Sequence, residues 1–177
     1  AMSNTNNADS DHNVAIGSST LQSGTVAAGA NIAIGHQSMT DVDAVGSQHN
    51  TSIGYQSMNG TWANTVSQYN VAIGSKTMQG VMDDADDNTA VGYEALKWGT
   101  HARTIAIGYQ AMYDTNAGST SMGSDDNIFI GYQAGGGTWA DAASNYNVGI
   151  GHYVMDSALD GATYNTAVGQ AALSGLT

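Results

Sequence analysis

The sequence predicts an all-β protein, a parallel β-solenoid of about nine coils. The motif Asn-x-Ala-Ile-Gly, or a close variant of it, occurs nine times in the 177 residues. The glycines of successive copies are 16 to 23 residues apart. A period near 20 with variable length is typical of stacked supersecondary units, one unit per copy. The copies are residues 13–17, 31–35, 50–54, 70–74, 88–92, 104–108, 127–131, 147–151 and 165–169.

The second and fourth positions of the motif predict a strand, because every copy has Val, Ile or Thr at both, as Val71 and Ile73 show. β-branched side chains favour strands, and positions two apart on a strand share a face. We therefore expect these two columns to line the interior. The third position is small in most copies, as in Ala72, and we expect another backbone, such as a second subunit, to approach closely there.

The residues at the first and fifth positions of the motif are ones that suit a particular backbone conformation. Glycine fills the fifth position of all nine copies, which indicates a positive φ or a space without room for Cβ. The leading Asn is suited to a side-chain ladder or to an Asx turn.

A second apolar column lies four residues after the glycine, where Leu or Met is broken only by Gly135. We expect this column to close the interior from the opposite wall. Four residues do not decide between a strand and a short helical turn for this segment. The remaining residues of each coil vary in length and composition, as loops do.

A longer repeat overlies the short one. A shift of 77 residues aligns 50–96 with 127–173 without a gap, with 25 identities in 47 pairs. Two loops match as well, 60–63 with 137–140, which indicates duplication more than a shared use.

Composition restricts the partners. The net charge is -12, with three basic residues, Lys76, Lys97 and Arg103. Such a chain lacks the cations that release counterions from nucleic acid, so DNA, RNA and anionic membranes are poor partners. No apolar run is long enough for membrane insertion. We expect residues 1–12 to be a lead-in that begins with a tag remnant, Ala1 before Met2, and 13–177 to be one repeat domain.

The energetics predict an obligate oligomer. Each coil offers roughly three apolar side chains for burial, at about 1.5 to 3 kcal/mol each. Ordering a coil of about 19 residues costs roughly 1 to 2 kcal/mol per residue in backbone entropy. Hydrogen bonds between coils and contacts between subunits must supply the difference.

The repeat resembles the head domain of trimeric autotransporter adhesins, and repeats of the form Asn-Thr-Ala-x-Gly-Tyr-Gln-Ala-Leu occur in phage tail fibres. The matching stretches are 88–96, 105–112 and 165–173, and the resemblance covers about nine-tenths of the chain. It implies a left-handed parallel β-roll, a homotrimer and attachment to a host surface. The long coils and the Tyr-Gln-Ala-Met continuation differ from the adhesin heads and favour a virion tail fibre or another extracellular, cell-surface adhesin.

An enzyme is not expected. The five His residues are dispersed, and the carboxylates have few basic partners. We expect no cofactor. Ca²⁺ is the one metal that suits the densest carboxylate cluster, Asp83, Asp84, Asp86 and Asp87, but no glycine turn separates these residues, which favours a solvated acidic loop.

Aromatic side chains are the candidate binding residues, because their faces stack on sugars and anchor protein contacts. The alternative for the tyrosines is packing between subunits or over coil edges. We expect attachment to a cell-surface receptor or glycan, with a passive spacer and an ice-binding solenoid as the alternatives. The candidates are the column residues Tyr55, Tyr93, Tyr109 and Tyr132 and the loop residues Trp62, Trp98 and Trp139.

Overall fold

The chain forms one parallel β-sheet wound as a solenoid, as predicted. The computed structural model describes residues 12–22, 29–40, 47–60, 65–80, 84–98, 101–115, 123–139, 142–157 and 159–175. Nine strands lie in these stretches, one in each motif copy, and they pair in parallel in chain order. They are β1 (Val14–Ile16), β2 (Ile32–Ile34), β3 (Thr51–Ile53), β4 (Val71–Ile73), β5 (Thr89–Val91), β6 (Ile105–Ile107), β7 (Ile128–Ile130), β8 (Val148–Ile150) and β9 (Thr166–Val168).

Each motif position stacks on the same position of the next coil. In the pairing of β4 with β5, Val71 faces Thr89 and Ala72 faces Ala90. Backbone hydrogen bonds join each coil to the next. For example, the Val71 N–H donates to the Asn88 carbonyl oxygen at 2.8 Å. Since the motif sets the register, the loops differ in length without shifting it.

The prediction of which face is interior was wrong. The second and fourth positions point outward and are half-buried or exposed in all nine strands, whereas the third position is inside. Ala33, Ala72 and Ala106 are 0% exposed. The third position is therefore small because the interior is narrow, and not because a second subunit approaches it.

The opposite wall fills that narrow interior, as predicted. The Leu and Met column is buried from Leu21 to Met155, in one apolar cluster with the alanines. Long side chains from this wall leave room only for a methyl group on the strand side. At the last coil Leu173 is 41% exposed.

The segment after each glycine is a turn. The residues two and four positions after the glycine have positive φ, as in Gln110 (51°) and Met112 (51°), which follow Gly108. The glycine has φ near 136° at Gly108, and a Cβ there would overlap the carbonyl group of Gly131 in the next coil. Both reasons predicted for glycine therefore apply.

The leading Asn side chains form a ladder, one of the two predicted roles. Asn70 is 0% exposed, and its Oδ1 accepts hydrogen bonds from the backbone N–H and the Nδ2 of Asn88, both at 3.0 Å. Its own Nδ2 donates to Asn50 Oδ1 at 3.0 Å. The ladder therefore satisfies polar groups that would be costly to bury unpaired.

Phe129 is the exception among the small interior residues, and two glycines accommodate it. A Cβ at Gly135 would lie 2.7 Å from Phe129 Cδ1, and a Cβ at Gly149 would lie 2.6 Å from the same atom. The glycine that breaks the Leu and Met column therefore makes room for the phenyl ring.

Candidate interaction surfaces

An apolar sheet face runs along the solenoid. It consists of the second and fourth motif positions, and several of its side chains are well exposed, such as Ile73 at 39% and Ile150 at 40%. Sequence reasoning assigned these residues to the core, because a β-branched pattern shows that two positions share a face without showing which face is inside. We call this surface the outer sheet face. Its residues are Val14, Ile16, Ile32, Ile34, Thr51, Ile53, Val71, Ile73, Thr89, Val91, Ile105, Ile107, Ile128, Ile130, Val148, Ile150, Thr166 and Val168.

The predicted tyrosine column lies along one border of the outer sheet face. Tyr55, Tyr93, Tyr109 and Tyr132 are 37 to 47% exposed, so the column faces outward. The rings stack coil on coil, with centroids 5.4 Å apart for Tyr93 and Tyr109 and 5.1 Å apart for Tyr109 and Tyr132. Neighbouring rings cover both faces of Tyr109 and Tyr132, so these two present mainly ring edges and hydroxyl groups to solvent. Tyr55 and Tyr93 each have one stacked face, because Ser75 stands between them in the column.

A second aromatic column lies along the other border of the outer sheet face. Its residues come directly before the leading Asn of each motif. His49 stacks on Tyr69 with centroids 5.1 Å apart, and Tyr146 stacks on Tyr164 at 4.9 Å. Sequence reasoning missed this column, although its signal was present as a recurring Tyr or His before the motif.

Charged residues continue the second column between these stacks. Arg103 forms a bidentate pair with Asp126, with Nε–Oδ1 at 2.7 Å and Nη2–Oδ2 at 3.0 Å. The hydrogen bonds from Arg103 hold the pKa of Asp126 below its usual value.

The three tryptophans do not form one site. Trp62 lies outside the described residues. Trp139 is 2% exposed and packs edge-on against Phe129, with ring centroids 5.6 Å apart, so its ring is not open to a ligand and its burial counts against the prediction that it is a binding residue. The aromatic ring at Phe129 gives this loop an apolar surface to cover. Trp98 is 42% exposed and remains a surface candidate.

A buried ion pair lies beside Trp98. Lys97 Nζ is 2.7 Å from Glu94 Oε1 and lies over two rings, 5.2 Å from the Trp98 centroid and 5.1 Å from the Tyr113 centroid. Gln110 Nε2 donates to the other Glu94 oxygen at 2.9 Å. Burial by itself would raise the pKa of Glu94, but the hydrogen bonds from Lys97 and Gln110 hold it below its ordinary value. Both groups are therefore charged at neutral pH.

His101 is a buried imidazole that the sequence did not single out. Its Nδ1 lies 2.9 Å from the Ser124 carbonyl oxygen, and its Nε2 lies 2.6 Å from Thr115 Oγ1. Burial lowers the pKa of His101, against smaller opposing effects from its backbone hydrogen bonds and from Asp125.

The acidic cluster is divided between structural and exposed positions. Asp86 Oδ1 accepts the Gln68 backbone N–H at 2.7 Å, while Asp84 and Asp87 are exposed. Asp83 lies outside the described residues. In the part of the chain that the structure describes, no three His, Asp or Glu side chains are grouped so that they could hold a metal ion.

Comparisons of the chain with protein-family models, curated proteins and solved structures found no match. Among the described residues, no helix has the length and apolar character needed to cross a membrane.

Proposed function

We propose that this chain is a segment of a homotrimeric fibre or adhesin head that attaches its carrier to a cell-surface receptor. Its location would be a virion tail fibre or another extracellular surface, and each chain would be a left-handed β-roll. The repeat supports this proposal through its resemblance to adhesin heads and tail fibres. The observation that carries it is the outer sheet face, which is apolar along the whole solenoid.

The outer sheet face is large for a monomer. Eight strand pairings at about 4.8 Å per step give a length of about 38 Å. Apolar side chains cover it, apart from three threonines, Thr51, Thr89 and Thr166. Soluble monomers rarely expose contiguous apolar patches of more than a few hundred Å². A second and third copy of this chain, arranged around a common axis, would bury it.

The borders of this face also suit a subunit interface. Tyrosine and histidine rings line both long edges, with apolar bodies and polar tips. Aromatic residues are enriched at protein interfaces, and the rims of interfaces are polar. Packing at these edges therefore explains Tyr109 and Tyr132 better than sugar stacking does, since both faces of each ring are already occupied.

The mass in solution tests the oligomer. Light scattering of the wild-type protein should give three times the chain mass. Ile73→Lys combined with Ile130→Lys places two charges on the outer sheet face and should reduce the mass towards that of one chain. The control, Gln22→Lys, adds a charge at an exposed position outside the outer sheet face and outside both aromatic columns, and should leave the mass unchanged. A folded wild-type monomer would contradict the trimer.

Binding of the labelled trimer to whole cells and to a glycan array tests attachment. Saturable binding to cells supports it. If both assays stay blank, the passive spacer becomes the better function, because the fold can serve as a rod without any ligand.

An ice-binding solenoid is the second candidate, and one observation now favours it. Adsorption to ice requires a flat, rigid, regularly spaced array, and the outer sheet face presents two outward columns of Thr, Val and Ile. The test is inhibition of ice recrystallisation by the wild-type protein and by the Ile73→Lys and Ile130→Lys variant. Activity that the variant loses would support this function, and an inactive wild-type protein would exclude it.

A further inference from the structure

We propose that Trp98 is a platform for a neutral sugar ring, with Asp114 as the neighbouring polar group. This inference rests on the proposed attachment function and names the chemistry of its ligand. Trp98 is 42% exposed and pairs with Asp114 in an isolated parallel bridge outside the main sheet. It is therefore separate from the outer sheet face and stays accessible when that face is buried.

The backbone of Trp98 is fixed. The buried Thr115 Oγ1 lies 2.7 Å from the Trp98 carbonyl oxygen and 2.6 Å from His101 Nε2, so one hydroxyl group packs against both residues. The bridge to Asp114 holds the same residue from the next coil. An exposed indole on an ordered backbone pays little conformational entropy when a ligand binds.

One side of the indole is supported by the protein and the other is open. Lys97 is 8% exposed and its ammonium lies over the Trp98 ring, so the exposed surface of the ring lies away from it. No stacking of another aromatic ring on Trp98 occurs among the described residues. Tyr109 and Tyr132 of the tyrosine column differ, because neighbouring rings cover both faces of each. A free aromatic face beside polar groups is what the C–H face of a pyranose requires.

The charges select the class of sugar. The Lys97 ammonium is paired with Glu94 at 2.7 Å and does not offer a free cation to an anionic ligand. Asp114 Oδ2, which accepts the Thr138 hydroxyl at 3.1 Å, is an acceptor for sugar hydroxyls and repels carboxylates and sulfates. The net charge of -12 adds to this repulsion. Neutral hexoses and amino sugars therefore fit, and acidic glycans do not.

The experiment uses the assembled protein on an array of neutral, amino-sugar and acidic glycans, followed by titration of the best ligand. We expect binding of neutral or amino-sugar glycans. Trp98→Ala should weaken it at least about tenfold, or about 1.4 kcal/mol, because it removes the aromatic anchor of the site. Trp98→Phe should retain most of the affinity. Tyr153→Ala removes another exposed ring, which lies outside both aromatic columns, and should leave sugar binding unchanged.

Several results would overturn the inference: no neutral or amino-sugar ligand on the array, preference for acidic glycans, or equal affinity of Trp98→Ala and wild type. Circular dichroism and melting temperature show whether each variant folds. If Trp98→Ala does not fold, Trp98→Leu, which keeps an apolar side chain without the ring, replaces it and should lose binding in the same way. Cell binding is measured separately. If cells bind Trp98→Ala as well as wild type, attachment stands and the platform fails. If the protein binds sugar but does not bind cells, the Trp98 platform stands and the attachment function fails.

Discussion

Phe129 shows how tightly single residues are matched inside the solenoid. Its ring fills a position that is small in the other coils, and Gly135 and Gly149 lie directly against it. The narrow interior has a nearly fixed volume, so a large residue at one position requires small residues at its neighbours.

This matching predicts strong coupling between Phe129 and Gly149. Phe129→Ala should cost about 3 to 5 kcal/mol of unfolding free energy through the cavity it leaves. Gly149→Ala should cost roughly 1 to 3 kcal/mol, because its Cβ would overlap the ring. The double variant restores the alanine pattern of the other coils. We therefore expect its loss of unfolding free energy to be smaller than the sum of the losses in the two single variants.

Urea unfolding of the four proteins in this double-mutant cycle measures the coupling. Ala72→Gly, three coils away, is the control and should be additive with Phe129→Ala. Additivity between positions 129 and 149 would show that the ring and the glycine do not compete for space.

His101 predicts a loss of stability in acid. Burial holds its pKa in the folded state below the ordinary value near 6.5. Above about pH 6.5 the imidazole is neutral in both states and has no effect. As the pH falls below that value, the unfolded chain takes up a proton that the folded chain resists, so the unfolding free energy decreases. The unfolding free energy stops decreasing once the pH is below the pKa of His101 in the folded state.

The unfolding free energies of wild type and of His101→Gln are measured between about pH 7.5 and 5. The quantity compared is the slope of unfolding free energy against pH in the two proteins. Exposed imidazoles are common to both proteins, so the difference reports His101. Its NMR titration in the folded wild type is the second measurement. A pKa above 6.5, or the same slope in both proteins, would contradict the prediction.

At the scale of the elements, one coil interrupts the asparagine ladder. Thr104 stands where the other coils have Asn, and its hydroxyl is 3.5 Å from the Asn127 backbone nitrogen. Asn147 makes the corresponding contact well, with its N–H donating to Asn127 Oδ1 at 2.9 Å. The step from β6 to β7 is therefore held by a weaker side-chain contact.

We expect Thr104→Asn to stabilise the protein by about 1 kcal/mol, the net contribution of a typical hydrogen bond. The reverse change, Asn70→Thr, breaks an intact ladder and should cost about 1 to 3 kcal/mol, since it leaves buried donors unpaired. Thermal and urea unfolding measure both. If Thr104→Asn destabilised the protein, the short coil before it would lack room for the amide.

On the scale of the whole molecule, each of the nine strands pairs, among the described parts of the chain, only with its neighbours in chain order. Stability in such an array is a sum of coil terms and nearest-neighbour terms. Whole coils are therefore removable units, whereas parts of coils are not.

Deletion of residues 70–87 joins Tyr69 to Asn88 and keeps every motif column in register. We expect a folded protein, shorter by one strand step of about 4.8 Å, with a modest loss of stability. Deletion of 74–78 alone, which keeps β4 but removes its glycine, its turn and its Met, is the control and should unfold or aggregate. Circular dichroism and small-angle X-ray scattering distinguish these outcomes. Equal behaviour of the two deletions would contradict the modular view.

The sequence by itself determined the coil period, the nine strands, their parallel register and the backbone role of the glycine column. These follow from local chemistry that each motif repeats, namely β-branched residues, an asparagine that pairs with its own copy, and a glycine required by positive φ.

Only the tertiary structure decided which face is inside. A three-residue strand has two faces, and the β propensity of Val71 and Ile73 is the same on either. The width of the interior decides between them, and that width depends on the turn after each glycine and on the Met and Leu column opposite. The burial of Trp139 was likewise hidden from the sequence, because it depends on where the loop meets Phe129. The outer sheet face therefore became visible only when the coil was closed.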